Sequence, residues 1–207
     1  SAQAMPTVTS VPSQEYDLCA VLADLLQGSD NTPTSEDLEL GLLQAVRSGS
    51  TDEVIALLGQ GANPNRHADM AEDWSVLGIA LMRGHSAIVT ALLDHGASVH
   101  DVLHEPHAAE PRGANAFHAL CGCGDAGRGL VHFSTPGFSI WRAMAELVAV
   151  HGADINAHSL RRWNGDTPLI AAISNGLSSE KCQFLIDAGA DVNAHSAATQ
   201  NAIAGEP

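Results

Sequence analysis

The strongest constraint in this chain is a recurring punctuation mark. GANPN, GASVH, GADIN and GADVN begin at Gly61, Gly96, Gly152 and Gly189, at spacings of 35, 56 and 37 residues. In three cases a second glycine stands upstream, so that Gly49 and Gly61, Gly84 and Gly96, and Gly176 and Gly189 each bracket a short apolar-patterned stretch. Glycine ends helices because it takes up the left-handed conformation after a last turn without steric cost. The stretch from Ser75 to His100 shows the whole unit. Ser75 is a cap, and Val76, Leu77, Ile79, Ala80 and Met82 form a first helix stopped by Gly84. Ile88, Val89, Ala91, Leu92 and Leu93 form a second, ended by Gly96. Neither helix is long enough to be stable alone in water. Such a unit needs neighbours, and copies of itself supply them.

The helix starts recur as well: SVLGIALMRG from Ser75, NAFHALCGCG from Asn115 and TPLIAAISNG from Thr167. A T-P-L-H-x-A start with a Gly-Ala close and a period near ~33 residues resembles the ankyrin repeat. The resemblance implies an all-α ankyrin-repeat solenoid of helix-turn-helix units with projecting finger loops. Its repeats fall at about 36–65, 66–100, 101–157 and 158–194 within a domain 36–194. Residues 1–13 are small, polar and proline-containing, and are expected to be disordered. In 14–35, Leu18, Val21, Leu22, Leu25 and Leu26 make one helical stripe, read as an N-terminal capping helix, with a partner-binding helix as the alternative. Thr34 or Ser35 caps the helix that follows. Residues 195–207 hold no further helix pair, so a disordered tail or a longer natural chain is expected.

The chain departs from the family pattern in two ways. Only Thr167 and Pro168 keep the Thr-Pro start, and only His118 keeps the helix-start histidine, which Gly78 and Ile170 replace elsewhere. The histidine links between fingers are therefore expected to be incomplete. The third repeat is also overlong, in its finger (Val99 to Gly113) and in an insertion (Asp125 to Phe138) where the pattern allows a tight turn. Both segments are expected to shape partner specificity.

The net charge is −15, and Lys181 is the single lysine. That balance argues against nucleic acid, which needs a basic face, and against an anionic membrane surface. Its natural complement is a protein with a basic patch, although surplus acid also serves solubility. Four scattered cysteines point to reduced thiols and a cytoplasmic setting, or secretion into a host cell if the protein is an effector. No stretch is long enough to span a bilayer, and no signal peptide is readable. Scarce lysine beside much alanine and glycine is the signature of a GC-rich, bacterial gene.

Two constellations invite chemistry. His104, His107, His118, Cys121, Cys123 and His132 cluster in the third repeat, and imidazole with thiolate is a zinc set. However, one residue separates the cysteines where structural sites use two to four, and His118 and Cys121 both fit as repeat-packing residues. A Cys–His catalytic pair from Cys121 or Cys123 with His118 or His132 lacks an orienting group and an oxyanion signature. We therefore expect no metal, no cofactor and no enzyme.

The resemblance instead implies protein binding through the concave surface and fingers. Carried over position by position, that surface takes Asp73, Trp74, Met82, Arg83, Arg112, Arg161, Trp163, Asn164 and Asp166. Tryptophan and arginine are favoured anchors, with packing of a finger tryptophan on its neighbour as the alternative. The expected function is a non-catalytic, monomeric interaction module. An immunity-type inhibitor of a basic toxin, an effector adaptor on a host protein, and self-association through the last repeat remain open.

Overall fold

The computed structural model describes residues 33–68, 74–100, 102–103, 114–122, 136–159 and 165–196. These residues form eight helices and no extended strand: α1 (Ser35–Ser48), α2 (Thr51–Gly59), α3 (Val76–Arg83), α4 (Ser86–Asp94), α5 (Ala116–Leu120), α6 (Phe138–Val150), α7 (Pro168–Ser174) and α8 (Ser179–Asp187). The stripe at Leu18 to Leu26 and the tail from residue 197 lie outside the described residues.

Side chains at the helix starts satisfy backbone donors that the helix itself leaves open. Thr34, rather than Ser35, caps α1. Its hydroxyl accepts from the Asp37 N–H, and the Asp37 carboxylate accepts from the Thr34 N–H at 3.0 Å, a reciprocal capping box. Ser75, Asn115 and Thr167 cap α3, α5 and α7 in turn. Pro168 takes the first position of α7, where a missing N–H costs nothing.

The helices stack in two rows. α1, α3, α5 and α7 touch in sequence and make an inner row, while α2, α4, α6 and α8 do the same outside it, and each inner helix packs on the outer helix that follows it. Leu42, Leu77, Leu81, Ile88, Leu92, Phe117, Trp141, Met144 and Leu185 lie in a core that runs along the stack. α3 is buried from Val76 to Met82, and of its residues only Arg83 reaches solvent. A helix apolar all round must be covered on every side.

The slot left by the missing histidine is filled. A Cβ at Gly78 would stand 2.8 Å from the Trp74 ring and 3.0 Å from the Val102 carbonyl oxygen. The indole occupies the space that a helix-start side chain would take. Trp74 is consequently buried, and the packing alternative holds for it.

The third pair keeps its place by different means. α5 ends after five residues, and the described chain resumes at Pro136. There the Trp141 indole N–H donates to the Leu120 carbonyl at 2.9 Å, satisfying an acceptor at the end of the shortened helix. Lys181 is buried, donates to the Pro136 carbonyl at 3.1 Å, and lies 5.7 Å from the centre of the Trp141 ring. Burial holds its ammonium below the usual lysine pKa. The Pro136 ring also rests on Gly84, whose φ of 74° and missing Cβ both suit the contact.

Gly78→Ala should therefore lower stability, although Gly to Ala within a helix ordinarily adds about 1 kcal/mol. We expect a net loss of about 1–3 kcal/mol from overpacking against Trp74 and Val102, read as a lower urea midpoint. A midpoint that rises would show that the indole yields freely.

Candidate interaction surface

The described parts of the fingers before α3 and α5 pair edge to edge. Within the finger before α3, Ala68 N–H donates to the Trp74 carbonyl at 2.8 Å and Val76 N–H to the Arg66 carbonyl at 3.0 Å. Antiparallel bridges pair His67 with Ser75, and Trp74 with Leu103 of the next finger. Ser75 N–H donates across that junction to the Val102 carbonyl at 2.8 Å. The Arg66 guanidinium reaches back to Glu39 on α1 at 3.0 Å, tying one acid of the first pair to the second finger.

A second set of links uses asparagine. The Asn65 amide donates to the Gly96 carbonyl at 3.3 Å and accepts from the Ser98 N–H at 2.7 Å. Asn156 repeats the pattern on the fourth pair, donating to the Gly189 carbonyl at 3.1 Å and accepting from the Asp191 N–H at 2.8 Å. Both stand fifth in the recurring G-A-x-x-N mark, so the mark closes one repeat and grips the next. His100 holds the fifth place in the second copy, and the closing loop of the third pair is met instead by Asn115, whose amide donates to the Asp154 carbonyl. The sequence carried this signal in the asparagine shared by three of the four marks.

His118 makes the histidine link where the sequence retains it. Its Nε2 lies 3.0 Å from the Asp166 carbonyl oxygen in the following finger. A carbonyl only accepts, so Nε2 carries the proton. Nδ1 is then the acceptor for the Asn115 N–H at 3.3 Å. Burial pushes the imidazole pKa down to about 4, against a smaller upward pull from the Asp166 hydrogen bond.

The expected binding residues separate into three groups. Trp74 and Met82 are buried, so they are corrected from partner contacts to core: one fills the Gly78 slot and the other belongs to the covered helix α3. Arg83 and Asp166 are half-buried and reach solvent in part. Arg83 donates to the Arg47 carbonyl at 3.0 Å, and Asp166 takes both His118 and the Ser159 N–H on its carbonyl while burial raises its carboxyl pKa. Asp73, Arg112, Arg161, Trp163 and Asn164 lie outside the described residues.

Of the candidate metal ligands, His104, His107, Cys123 and His132 also lie outside them. His118 has both ring nitrogens engaged by the protein, and Cys121 is buried at the end of α5. The described residues bring no three metal-ligating side chains together.

Sequence reading missed a groove in the outer row. About 420 Å³ lies between α6 and α8, lined by Phe138, Arg142, Glu180, Gln183, Phe184, Asp187 and Ala188. Arg142 is paired with Glu146 at 2.8 Å and lies 6.0 Å from the centre of the Phe184 ring. Phe184 in turn meets Trp141 edge-on at 5.5 Å, so its ring belongs partly to the core. Among the described residues no helix is long and apolar enough to cross a membrane.

Residues 164–197 match the family model described as Ankyrin repeat. No curated protein matches the chain. The chain thus contains an ankyrin repeat spanning α7, α8 and the closing loop after them.

The neutral, buried His118 has a consequence for pH. The unfolded imidazole takes up a proton near pH 6.5 and the folded one only near 4, so between these values the unfolded state binds more protons. Its contribution is complete above about pH 6.5 and is lost as pH falls towards 4, at up to about 1.4 kcal/mol per pH unit. Urea unfolding at a series of pH values should show this slope in the native chain. His118→Gln, which cannot titrate, should be flatter by about one proton over the window. Equal slopes would mean that His118 is protonated in the fold.

Proposed function

We propose that the chain is a non-catalytic protein-binding module, with its recognition surface on the finger row and on the solvent-facing side of the inner helices. Ankyrin repeats in general bind proteins. The observation that carries the reading is the bonding of one finger to the next, from Trp74 and Ser75 to Val102 and Leu103. Fingers fixed this way offer a preformed surface and lose little conformational entropy on binding. The inward groups are committed to the scaffold: His118 to two backbone groups, Lys181 to Pro136, Trp141 to Leu120. What remains for a partner in this reading is Asp73, Arg83, Arg112, Arg161, Trp163, Asn164 and Asp166. The chain's charge of −15 favours a partner with a basic patch. The overlong finger and insertion of the third repeat would set which partner fits.

The partner should be captured on immobilised full-length chain from cells of the source organism and then titrated against variants. Trp163→Ala should weaken binding by about tenfold or more if it is an anchor, with unchanged thermal melting. Trp74→Ala should show the reverse, a lower melting temperature from loss of a buried indole. Removal of both third-repeat segments with undiminished capture would place specificity elsewhere.

A further inference from the structure

The chain holds two Asn-Gly steps, Asn164–Gly165 and Asn175–Gly176. Asparagine before glycine is the chemically weakest amide step in a polypeptide. The backbone nitrogen after the asparagine can attack the side-chain carbonyl carbon, and glycine has no Cβ to hinder it. Asn164 lies outside the described residues. Asn175 ends α7 and is exposed. Its side-chain amide donates to the Cys121 carbonyl at 3.1 Å, across 54 residues of chain. Cys121 stands at the C-terminal end of α5, beside the Leu120 carbonyl that the Trp141 indole meets. Two donors from other helices therefore hold the last carbonyls of α5. The Trp141 donor is buried, whereas the Asn175 donor belongs to an exposed residue.

The same geometry holds Asn175 away from reaction. Its ψ of 2° turns the Gly176 nitrogen away from its own side chain. The Gly176 N–H donates to the Ile173 carbonyl at 3.0 Å, so that nitrogen keeps its proton. The bond to Cys121 fixes the side chain that would be attacked. All three restraints sit on the last turn of α7 and its contact with α5, so one local opening releases them together.

We propose that Asn175 is a site of spontaneous deamidation gated by its tie to Cys121, and that its modification releases α5 from α7 irreversibly. When the tie opens, the Gly176 nitrogen gives its proton to hydroxide and bonds to Asn175 Cγ. The Cγ–Nδ2 bond breaks, and the side-chain nitrogen leaves as ammonia. Water then opens the five-membered imide at either carbonyl, giving aspartate or isoaspartate. Both products carry a carboxylate where the amide donor stood. It has no N–H for the Cys121 carbonyl, and it places negative charge at the C-terminal ends of α5 and α7, where the helix dipole opposes it. Isoaspartate also adds one carbon to the backbone at the turn into α8. The tie therefore does not re-form.

Mass-spectrometric peptide mapping of the full chain, aged at mildly alkaline pH in native buffer and in urea, tests this. In urea the Asn175 and Asn164 peptides should gain the mass of an acid at similar rates. In native buffer Asn175 should convert about tenfold or more slowly than in urea, as a site that reacts only when locally open. Urea below the unfolding midpoint should already speed it. Asn175→Asp, at an exposed position, should keep the helical circular dichroism of the native chain. Amide exchange at Ala119, Cys121 and Gly122 should quicken in it by about fivefold or more, the loss of one modest hydrogen bond beside an adverse charge. A native rate equal to the urea rate would overturn the gating. An Asn175 that stays intact in urea while Asn164 converts would overturn the site. Unchanged exchange at the end of α5, in the Asn175→Asp chain or in aged native chain after conversion, would overturn the release.

Discussion

Helices of five to fourteen residues do not hold their shape in water, and every helix in this stack falls in that range. Each persists because a neighbour covers its apolar side and completes its hydrogen bonds. The second requirement is as strict as the first, since the last carbonyls of an α-helix have no partner within it. Donors from neighbouring helices, in the same pair or the next, meet several of these groups on the inner row. Arg83 donates to the Arg47 carbonyl, Trp141 to Leu120 and Asn175 to Cys121. At the opposite ends, the fingers and asparagine grips bind one pair to the next through backbone groups. Stability in such an array is a nearest-neighbour quantity.

That dependence explains how an irregular third pair is tolerated. α5 is only five residues long, and residues 123–135 between it and the next helix lie outside the described residues. The start of that next helix is held from three directions: Gly84 beneath the Pro136 ring, Lys181 on its carbonyl, and Trp141 joined to α5. The only lysine in the chain thus serves the fold. It lies against an indole face in a setting that weakens its hold on a proton, and a backbone carbonyl compensates for its removal from water.

Much of the arrangement was legible in the chain. The caps Ser75, Asn115 and Thr167 placed the starts of α3, α5 and α7, because capping is decided within a few residues. Trp74 was not legible as core. Its burial depends on the absence of a side chain at Gly78, on the helix that follows, and its backbone is bridged to Leu103 of another finger. Met82 was misplaced for a related reason: the family pattern leaves part of an inner helix open, while α3 here is closed from Val76 to Met82. The asparagine grip could have been read, since three of the four marks end in Asn, but its meaning required the next loop in space.

By itself the sequence determined the repeating unit, the helix type and the turns, because these rest on local capping, glycine conformation and apolar period. It also determined the acidic balance. Only the tertiary structure decided which polar and aromatic residues were available to a partner and which were consumed. His118, Lys181, Trp74 and Trp141 are all residues that bind or catalyse elsewhere, and here each fills or bonds a site made by another element of the stack. The glycine marks likewise told where one repeat closes. That they also grip the next repeat follows from two loops standing side by side, a contact across more than thirty residues of chain that local pattern does not encode.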